Sequence, residues 1–99
     1  WMYIPNSFSP DYDKINDNFC ISYNGIREDT FIFKVFNRKG DLLFQSVNPK
    51  ELMCTNNGGW NGENYSYNEL PSGSYVYEMY FQDFQGWKHT KYGDIILVR

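Results

Sequence analysis

The residues of this chain best suited to chemistry are four oxygen-bearing side chains at short spacing, Asp11, Asp13, Asn16 and Asp17. Carboxylate and amide oxygens are the ligands that Ca²⁺ prefers in proteins. A calcium loop of the EF-hand type also needs a glycine and a distant bidentate glutamate, and this segment has neither. Asp and Asn side chains also bond their own backbone in turns. The sequence therefore favours a loop of Asx turns, without a metal or other cofactor, over a calcium site.

Catalysis needs a nucleophile, a base or a metal in a recognisable arrangement, and the sequence offers none. The only histidine is His89, which lies between Lys88 and Lys91. There is no nucleophile elbow, phosphate-binding loop or metal-spaced cluster of His and Cys. We therefore expect a protein that is not an enzyme.

Charge and hydropathy exclude two further classes, a nucleic-acid binder and a membrane-spanning protein. The net charge of -3 does not suit a nucleic-acid binder, which needs a basic footprint. Residues 88–99 carry Lys88, Lys91 and Arg99 against Asp94, which favours an edge strand guarded by lysine over a docking patch. No apolar run approaches the ~18 residues of a membrane span, so the chain is not expected to cross a membrane.

The start of the chain resembles the interior of a longer protein. The sequence opens with Trp1, and no secretory signal precedes the first strand-like segment. We therefore expect residues 1–99 to be a single domain cut from a larger secreted or cell-surface protein.

The two cysteines, Cys20 and Cys54, leave their pairing open. An exported protein could join them in a disulfide that closes a loop. Cys20 lies between Phe19 and Ile21, so strand alternation turns it away from the core if its neighbours face inward. This placement favours two free thiols over a disulfide.

The elements that hold these residues are predicted to be strands. Aromatic residues make up 20% of the chain and alanine is absent, a balance that favours pleated surfaces over helices. Alternating apolar residues and regular turn signals predict about seven strands in an all-β sandwich with Ig-like or Greek-key topology. The clearest strands are predicted over residues 3–8, 19–23, 30–36, 42–46, 74–82 and 87–98.

Several local features are predicted between these strands. Residues 27–29 read as an exposed loop, and residues 49–53 as at most one helical turn. Gly93 marks a bulge or a close approach of two strands. Tyr75 and Tyr77 follow Gly73 and can bury their rings while returning a hydroxyl to a loop carbonyl. Trp60 is expected to close one end of the sandwich.

Outward-facing aromatic residues suggest an alternative function. Stacking on sugar rings would suit an adhesive or carbohydrate-binding module of a surface protein. The candidates fall on different elements without a shared spacing: Tyr12, Tyr65, Tyr67, Tyr80 and Trp87.

Four motifs in order carry a resemblance to a known family. They are Ile4-Pro5-Asn6-Ser7-Phe8-Ser9-Pro10, Asn37-Arg38-Lys39-Gly40, Trp60-Asn61-Gly62 and Leu70-Pro71-Ser72-Gly73-Ser74-Tyr75-Val76-Tyr77, followed by a closing Ile95-Ile96-Leu97-Val98-Arg99. With them the chain resembles the gliding motility-associated C-terminal domain of Bacteroidota, the type B sorting domain of the type IX secretion system.

Three positions depart from the family pattern. Tyr12 and Lys14 stand where the family has loop glycines, which weakens a calcium site further. Asn61 stands where the family has Asp, and this change removes a carboxylate that could bond nearby amides.

The resemblance implies a function that composition does not. Such domains direct a large cargo, for example a surface adhesin, from the periplasm through the type IX translocon to the cell surface. A PorP/SprF-like outer-membrane protein is the implied partner. The residues expected to be recognised are Asp11, Asp13, Asn16, Asp17, Asp94 and Arg99. The residues expected to define the fold are Pro5, Asn6, Phe8, Asn37, Arg38, Gly40, Trp60, Gly62, Gly73, Tyr75 and Tyr77.

Overall fold

Strands dominate the architecture. A computed structural model of the chain describes residues 1–10, 17–56, 58–64 and 66–99. Within these residues the chain forms seven strands: Met2–Tyr3 (β1), Ser7–Phe8 (β2), Ser22–Tyr23 (β3), Ile26–Phe36 (β4), Leu42–Ser46 (β5), Gly73–Asp83 (β6) and Lys88–Leu97 (β7). They form two sheets, so the predicted all-β sandwich of about seven strands is confirmed.

The larger sheet has five strands in the order β2-β7-β6-β4-β5, and the smaller pairs β1 with β3. Neighbouring strands are antiparallel except β2 and β7, which are parallel. The longest ladder joins β6 to β7 from Gly73↔Leu97 to Gln82↔Lys88 without a register shift. This ladder lies in the middle of the five-stranded sheet.

One face of the five-stranded sheet forms the core. On β6 the alternate side chains Tyr75, Tyr77, Met79 and Phe81 are buried, as the alternation predicts. The buried partners on the neighbouring strands are Phe31, Phe33, Val35, Ile95 and Leu97. The opposite face carries polar side chains such as those of Lys34 and Glu78, which lie directly across from each other on β4 and β6.

The cover over this apolar face is made mostly of irregular chain. Phe19 and Trp60 exchange two backbone hydrogen bonds of 2.8 and 2.9 Å. Ile21 donates from its N–H to the carbonyl of Leu52 and accepts from the N–H of Cys54. The side chains joined by these bonds are fully buried: Phe19, Ile21, Leu52 and Trp60. Isolated bridges therefore position core residues in this part of the chain.

Two of the predicted strands near the N-terminus are shorter in the structure. The segment predicted over 3–8 is divided into β1 and β2, with Pro5 between them, since proline cannot donate to a ladder. The segment predicted over 19–23 is a strand only at Ser22–Tyr23. The rest of it makes the isolated bridges of the cover.

The prediction of an exposed loop over residues 27–29 is wrong, because β4 begins at Ile26. The register between β4 and β6 shifts between Arg27 and Ile32. At this irregularity the Thr30 hydroxyl donates to the Arg27 carbonyl at 2.6 Å and accepts from the Gln82 N–H at 2.8 Å. The Thr30 hydroxyl thus makes hydrogen bonds where the regular ladder between β4 and β6 is interrupted. The polar residues 27–29 therefore remain part of β4.

Gly93 pairs with Tyr77 in regular register, so it marks a close approach and no bulge. A Cβ at Gly93 would lie 3.1 Å from the Tyr77 ring. The predicted helical turn is present as a 3₁₀ helix at Pro49–Leu52, and a second one follows at Cys54–Asn56. Neither these helices nor any other in the described part of the chain is long and apolar enough to span a membrane.

The favoured interpretation of two free thiols is wrong, because Cys20 and Cys54 form a disulfide. Phe19 and Ile21 do face inward, so Cys20 does lie between two fully buried residues. The segment that contains Cys54 runs directly alongside, since Met53 bridges Ile21 and the Cys54 N–H bonds the Ile21 carbonyl. The side chain that alternation turns away from the core therefore meets a partner.

The disulfide is expected to stabilise the cover. It joins residues 34 positions apart, and closing a loop of that size contributes about 3–4 kcal/mol in the chain-entropy account. We expect the Cys20→Ser/Cys54→Ser variant to lose that much free energy of unfolding in urea titrations. Wild type in reducing agent should unfold at the same midpoint as the variant. Equal midpoints for oxidised and reduced wild type would contradict the prediction.

Candidate recognition site

The sequence motifs meet at one end of the five-stranded sheet. At this end β4 stops at Phe36, β6 starts at Gly73 and β7 stops at Leu97. Loops 60–62 and 70–72 cover this end of the sheet. We call these strand ends and the two loops together the motif end. β2 also reaches it, where the carbonyls of Asn6 and Phe8 accept from the N–H groups of Ile96 and Val98.

Arg99 is the residue on which these loops converge. Its Nε donates to the Leu70 carbonyl at 2.6 Å, and its Nη2 donates to the Gly62 carbonyl at 3.0 Å. Its backbone N–H donates to Ser72 Oγ at 2.8 Å. The guanidinium also pairs with Glu69 at 3.4 Å. One side chain thus ties two of the motifs to the end of β7.

Gly62 makes room for this guanidinium. Its φ of 84° lies in the left-handed region, which favours glycine. A Cβ at Gly62 would lie 2.9 Å from Arg99 Nη2 and 3.3 Å from Leu97 Cδ1. The Gly62 carbonyl accepts from both Arg99 and the Leu70 N–H, so the glycine is needed for conformation and for space.

Trp60 anchors the same loop in the core. Its side chain is fully buried, and its ring lies 5.5 Å from that of Phe8 and 6.0 Å from that of Tyr75. The indole Nε1–H donates to the Glu63 carbonyl at 2.9 Å, as a buried tryptophan requires. The predicted role of Trp60 as the closure of one end of the sandwich is therefore what the packing shows.

Asn61 completes this loop. Its Oδ1 accepts from the Glu63 N–H at 3.2 Å, and its Nδ2 donates to Glu63 Oε1 at 3.1 Å. The amide oxygen thus bonds the nearby backbone amide without the carboxylate found in the family pattern.

Tyr75 fixes the loop that precedes β6. Its hydroxyl donates to the Pro71 carbonyl at 2.6 Å, so the predicted return to a loop carbonyl is confirmed. Burial raises the pKa of this hydroxyl, and the positive charge of Arg99 partly opposes the shift. Burial also raises the pKa of Tyr77, whose ring packs against Gly93.

The turn at 37–40 is bonded to the same end of the sheet through Arg38. Asn37 Oδ1 accepts from the N–H groups of Lys39 and Asp41, both at 2.9 Å. Arg38 reaches across the sheet, donating to Ser74 Oγ at 2.6 Å and lying 3.6 Å from Asp94 Oδ1. Gly40 takes a φ of 91°, which closes the turn.

A cleft of about 280 Å³ opens at the motif end. It brings together two of the residues predicted to be recognised, Asp17 and Arg99. The remaining lining residues are Pro10, Asn18, Asn61, Glu63 and Glu69. Asp94 lies apart from this cleft, beside Arg38. Three other predicted residues, Asp11, Asp13 and Asn16, lie outside the described residues.

Comparison with known proteins identifies the family. The family model described as CHU_C Type IX secretion signal domain matches residues 2–97. The chain belongs to this family. It is a family of secretion signals and not of enzymes. The secretion signal domain therefore acts as a sorting signal of the type IX system, and the proteins that carry such signals are exported to the cell surface or beyond.

Other comparisons add little. No curated protein matches this chain. Among solved structures, the crystal structure of CopC from Methylosinus trichosporium OB3b is similar to it, with 14% sequence identity and a TM-score of 0.49. That similarity covers 76% of this chain and 68% of CopC.

Three of the four calcium candidates of the secretion signal domain, Asp11, Asp13 and Asn16, lie outside the described residues. Within the described ranges, no three His, Cys, Asp or Glu residues come close enough to hold a metal ion. The favoured interpretation, a loop of Asx turns over residues 11–18, stays a prediction.

The aromatic residues considered for sugar binding are spread over the domain. Tyr67 lies in the loop before β6, and Trp87 lies just before β7; both are exposed. Tyr80 is half-buried on β6 and donates to Glu78 Oε2 at 2.9 Å. Tyr12 and Tyr65 lie outside the described residues. The described three therefore lie on three different elements.

Sequence reasoning missed the polar residues that join the motifs. Ser72 accepts from the Arg99 N–H, Ser74 accepts from Arg38, and Glu69 pairs with the Arg99 guanidinium. The two serines flank Gly73 inside a motif, which is the signal that could have revealed them. Their partners are distant in sequence, so the pattern alone could not name them.

Gly62 provides a test of the close approach to Arg99. Gly62→Ala should destabilise the domain more than Gly25→Ala, because Gly25 also has positive φ but has nothing within 4 Å of an added Cβ. The left-handed backbone costs about 1–2 kcal/mol in either variant, and overpacking adds about 1–3 kcal/mol at Gly62 alone. Urea unfolding measures both. Equal losses would contradict the proposed contact.

Tyr75 provides a test by pH. At neutral pH, Tyr75→Phe should lose about 0.5–1.5 kcal/mol, the net contribution of the bond to Pro71. The unfolded tyrosine ionises near pH 10, whereas burial raises the pKa of folded Tyr75. Wild type should therefore lose stability as the pH rises past about 10, and its advantage over Tyr75→Phe should shrink.

The exposed Tyr92 supplies the control for this measurement, because Tyr92→Phe also removes one tyrosine. Urea unfolding between about pH 8 and pH 11 compares the three proteins. A constant difference between wild type and Tyr75→Phe across that range would show that the burial of this hydroxyl is wrongly assigned.

Proposed function

We propose that the motif end is the surface that the type IX translocon reads, and that a PorP/SprF-like outer-membrane protein makes the contact. The cargo would be a large surface protein, such as an adhesin, that crosses the periplasm first. The observation that supports this proposal is the convergence of the motifs. Segments scattered from Asn6 to Arg99 meet at one end of the sheet and are fastened there to one another.

A sorting signal without catalytic chemistry needs a rigid surface with polar groups in fixed positions. Arg99 contributes rigidity, because most of its donors are used within the domain and its side chain is only 21% exposed. The carboxylates around it remain accessible: Glu69 is 57% exposed, and Asp94 on the neighbouring flank is 60% exposed. Charge-assisted hydrogen bonds to such groups give a partner both affinity and register.

These two roles divide the candidate residues. Trp60, Gly62, Tyr75 and Arg99 keep the motif end in shape. Asp17, Glu69 and Asp94 present carboxylates that a partner can contact. Asp11, Asp13 and Asn16, adjacent in sequence to Asp17, belong to the same proposed surface on the sequence argument alone.

Secretion of a fused passenger tests the proposal. The domain is placed at the C-terminus of a passenger with an ordinary export signal, in a strain that has the type IX system. The wild-type fusion should reach the cell surface or the medium. The Asp17→Asn/Glu69→Gln/Asp94→Asn variant should be retained in the cell, because its carboxylates are neutralised without a change in shape.

Controls separate recognition from folding. Exposed ion pairs contribute only about 0–1 kcal/mol, so the triple variant should melt close to wild type. Asp29→Asn is the matched control, since its carboxylate is 71% exposed and lies on β4, within the strand's first residues and away from the motif end. Full export of the triple variant would show that the translocon does not recognise these carboxylates. Retention of the Asp29→Asn fusion would show that the effect is not local to the motif end.

A further inference from the structure

The β6–β7 hairpin presents two large aromatic rings to solvent at the end opposite the motif end. Phe84 is 76% exposed and Trp87 is 69% exposed. Among the three Trp and eight Phe of the chain, the third exposed ring is Trp1, which lines a cavity beside Asp83 and His89 at the same end. Exposed Trp and Phe rings are thus confined to this end of the molecule.

Hydrogen bonds of the Asp83 side chain and of the backbone close the hairpin tip. Asp83 Oδ1 accepts from the N–H groups of Gln85 and Trp87 at 2.9 and 3.0 Å. The Asp83 N–H donates to the Trp87 carbonyl, and the Gly86 N–H donates to the Asp83 carbonyl. Gly86, with a φ of 87°, allows the turn. The two rings are therefore presented on a fixed support, and little ordering entropy is lost when they bind.

The segment from the tip into β7 is basic. Residues 84–93 contain Lys88 and Lys91 and no carboxylate, although the whole chain has a net charge of -3. Neither lysine takes part in the ion pairs found within the described residues. The nearest acid on the strand, Asp83, is bound by the turn and by His89 at 3.0 Å. Arg27 and Asp29 on the adjacent strand pair with each other.

We propose that this hairpin tip docks the domain on the surface of a bilayer that contains anionic lipid. Phe84 and Trp87 enter the interfacial layer, and Lys88 and Lys91 contact lipid phosphates. Trp is enriched at membrane interfaces, and apolar burial combined with basic charge is what binds proteins to anionic bilayers. A protruding tip inserts between headgroups, whereas a protein partner would have to supply a matching pocket.

The charge distribution supports one orientation on such a surface. The cleft at the motif end is lined by the carboxylates of Asp17, Glu63 and Glu69, which an anionic surface repels. The same anionic surface attracts the hairpin tip through Lys88 and Lys91. β6 connects the two ends through 11 residues, roughly 35 Å at the usual rise of a strand. The motif end therefore stays clear of the bilayer, and the inference is independent of the proposed function.

Vesicle binding by the 99-residue chain tests the proposal. Wild type should sediment with vesicles of phosphatidylcholine containing about a quarter phosphatidylglycerol, and its tryptophan emission should shift to the blue as Trp87 leaves water. Phe84→Ser/Trp87→Ser should weaken sedimentation at least tenfold, about what loss of two buried rings implies. Tyr67→Ser is the control for loss of an exposed ring elsewhere, because the Tyr67 ring is 83% exposed and lies outside the hairpin.

The lysines are tested separately. Lys88→Gln/Lys91→Gln should weaken binding to the anionic vesicles about 30-fold at low ionic strength. The same variant should not change the weaker binding to vesicles of phosphatidylcholine alone. Thermal melts of all variants should match wild type, since the changed side chains are exposed.

Three outcomes would overturn the proposal. The first is that wild type does not sediment with either kind of vesicle. The second is that the hairpin variants bind as tightly as wild type. The third is that vesicles are not bound while the hairpin variants fold normally and lose secretion of a fused passenger, which would assign the tip to a protein partner.

Discussion

The apolar face of the five-stranded sheet has to be covered, and the rest of the structure follows from this constraint. The described chain has no second sheet of matching size, since its other sheet pairs only Met2–Tyr3 with Ser22–Tyr23. Burial of large rings must therefore come from irregular segments. Phe19 stacks on Phe33 with ring centres 5.7 Å apart, and its backbone is held by two bonds to Trp60. This reciprocal pair replaces a ladder at the point where the core is most aromatic.

The motif end depends on that cover. Trp60 can be buried only if the chain turns sharply after it, and Gly62 allows the turn. The carbonyl that this turn exposes is bonded by Leu70 and Arg99, which in turn fixes the end of β7. The residues that define the fold and those that shape the candidate site are therefore in contact, and a change to one set alters the other. For this reason the proposed test of recognition changes the carboxylates of Asp17, Glu69 and Asp94 instead of Arg99 or Trp60.

Sequence reasoning succeeds here where a property is local. Alternation identifies the buried face of β6, and the position of Tyr75 after Gly73 predicts its bond to a loop carbonyl. It fails where the deciding neighbour is remote in sequence. The Cys20 side chain meets Cys54 only because the segment around Met53 lies alongside Ile21. The resemblance identifies the motifs of the site. The bonds by which Arg99 joins them can be seen only in the folded chain.

The position of the disulfide makes the stability of the cover depend on redox conditions. The bond lies in the cover and not in the sheet, whose ladders do not involve either cysteine. Reducing surroundings such as a cytosol keep cysteine thiols reduced, so Cys20 and Cys54 would not be joined there. The sheet would then keep its hydrogen bonds, while the segments over its aromatic face would be held by isolated bridges and by the burial of side chains such as Phe19 and Trp60. In oxidising surroundings the same chain gains a covalent bond next to Phe19, so its free energy of unfolding rises once it leaves a compartment where thiols stay reduced.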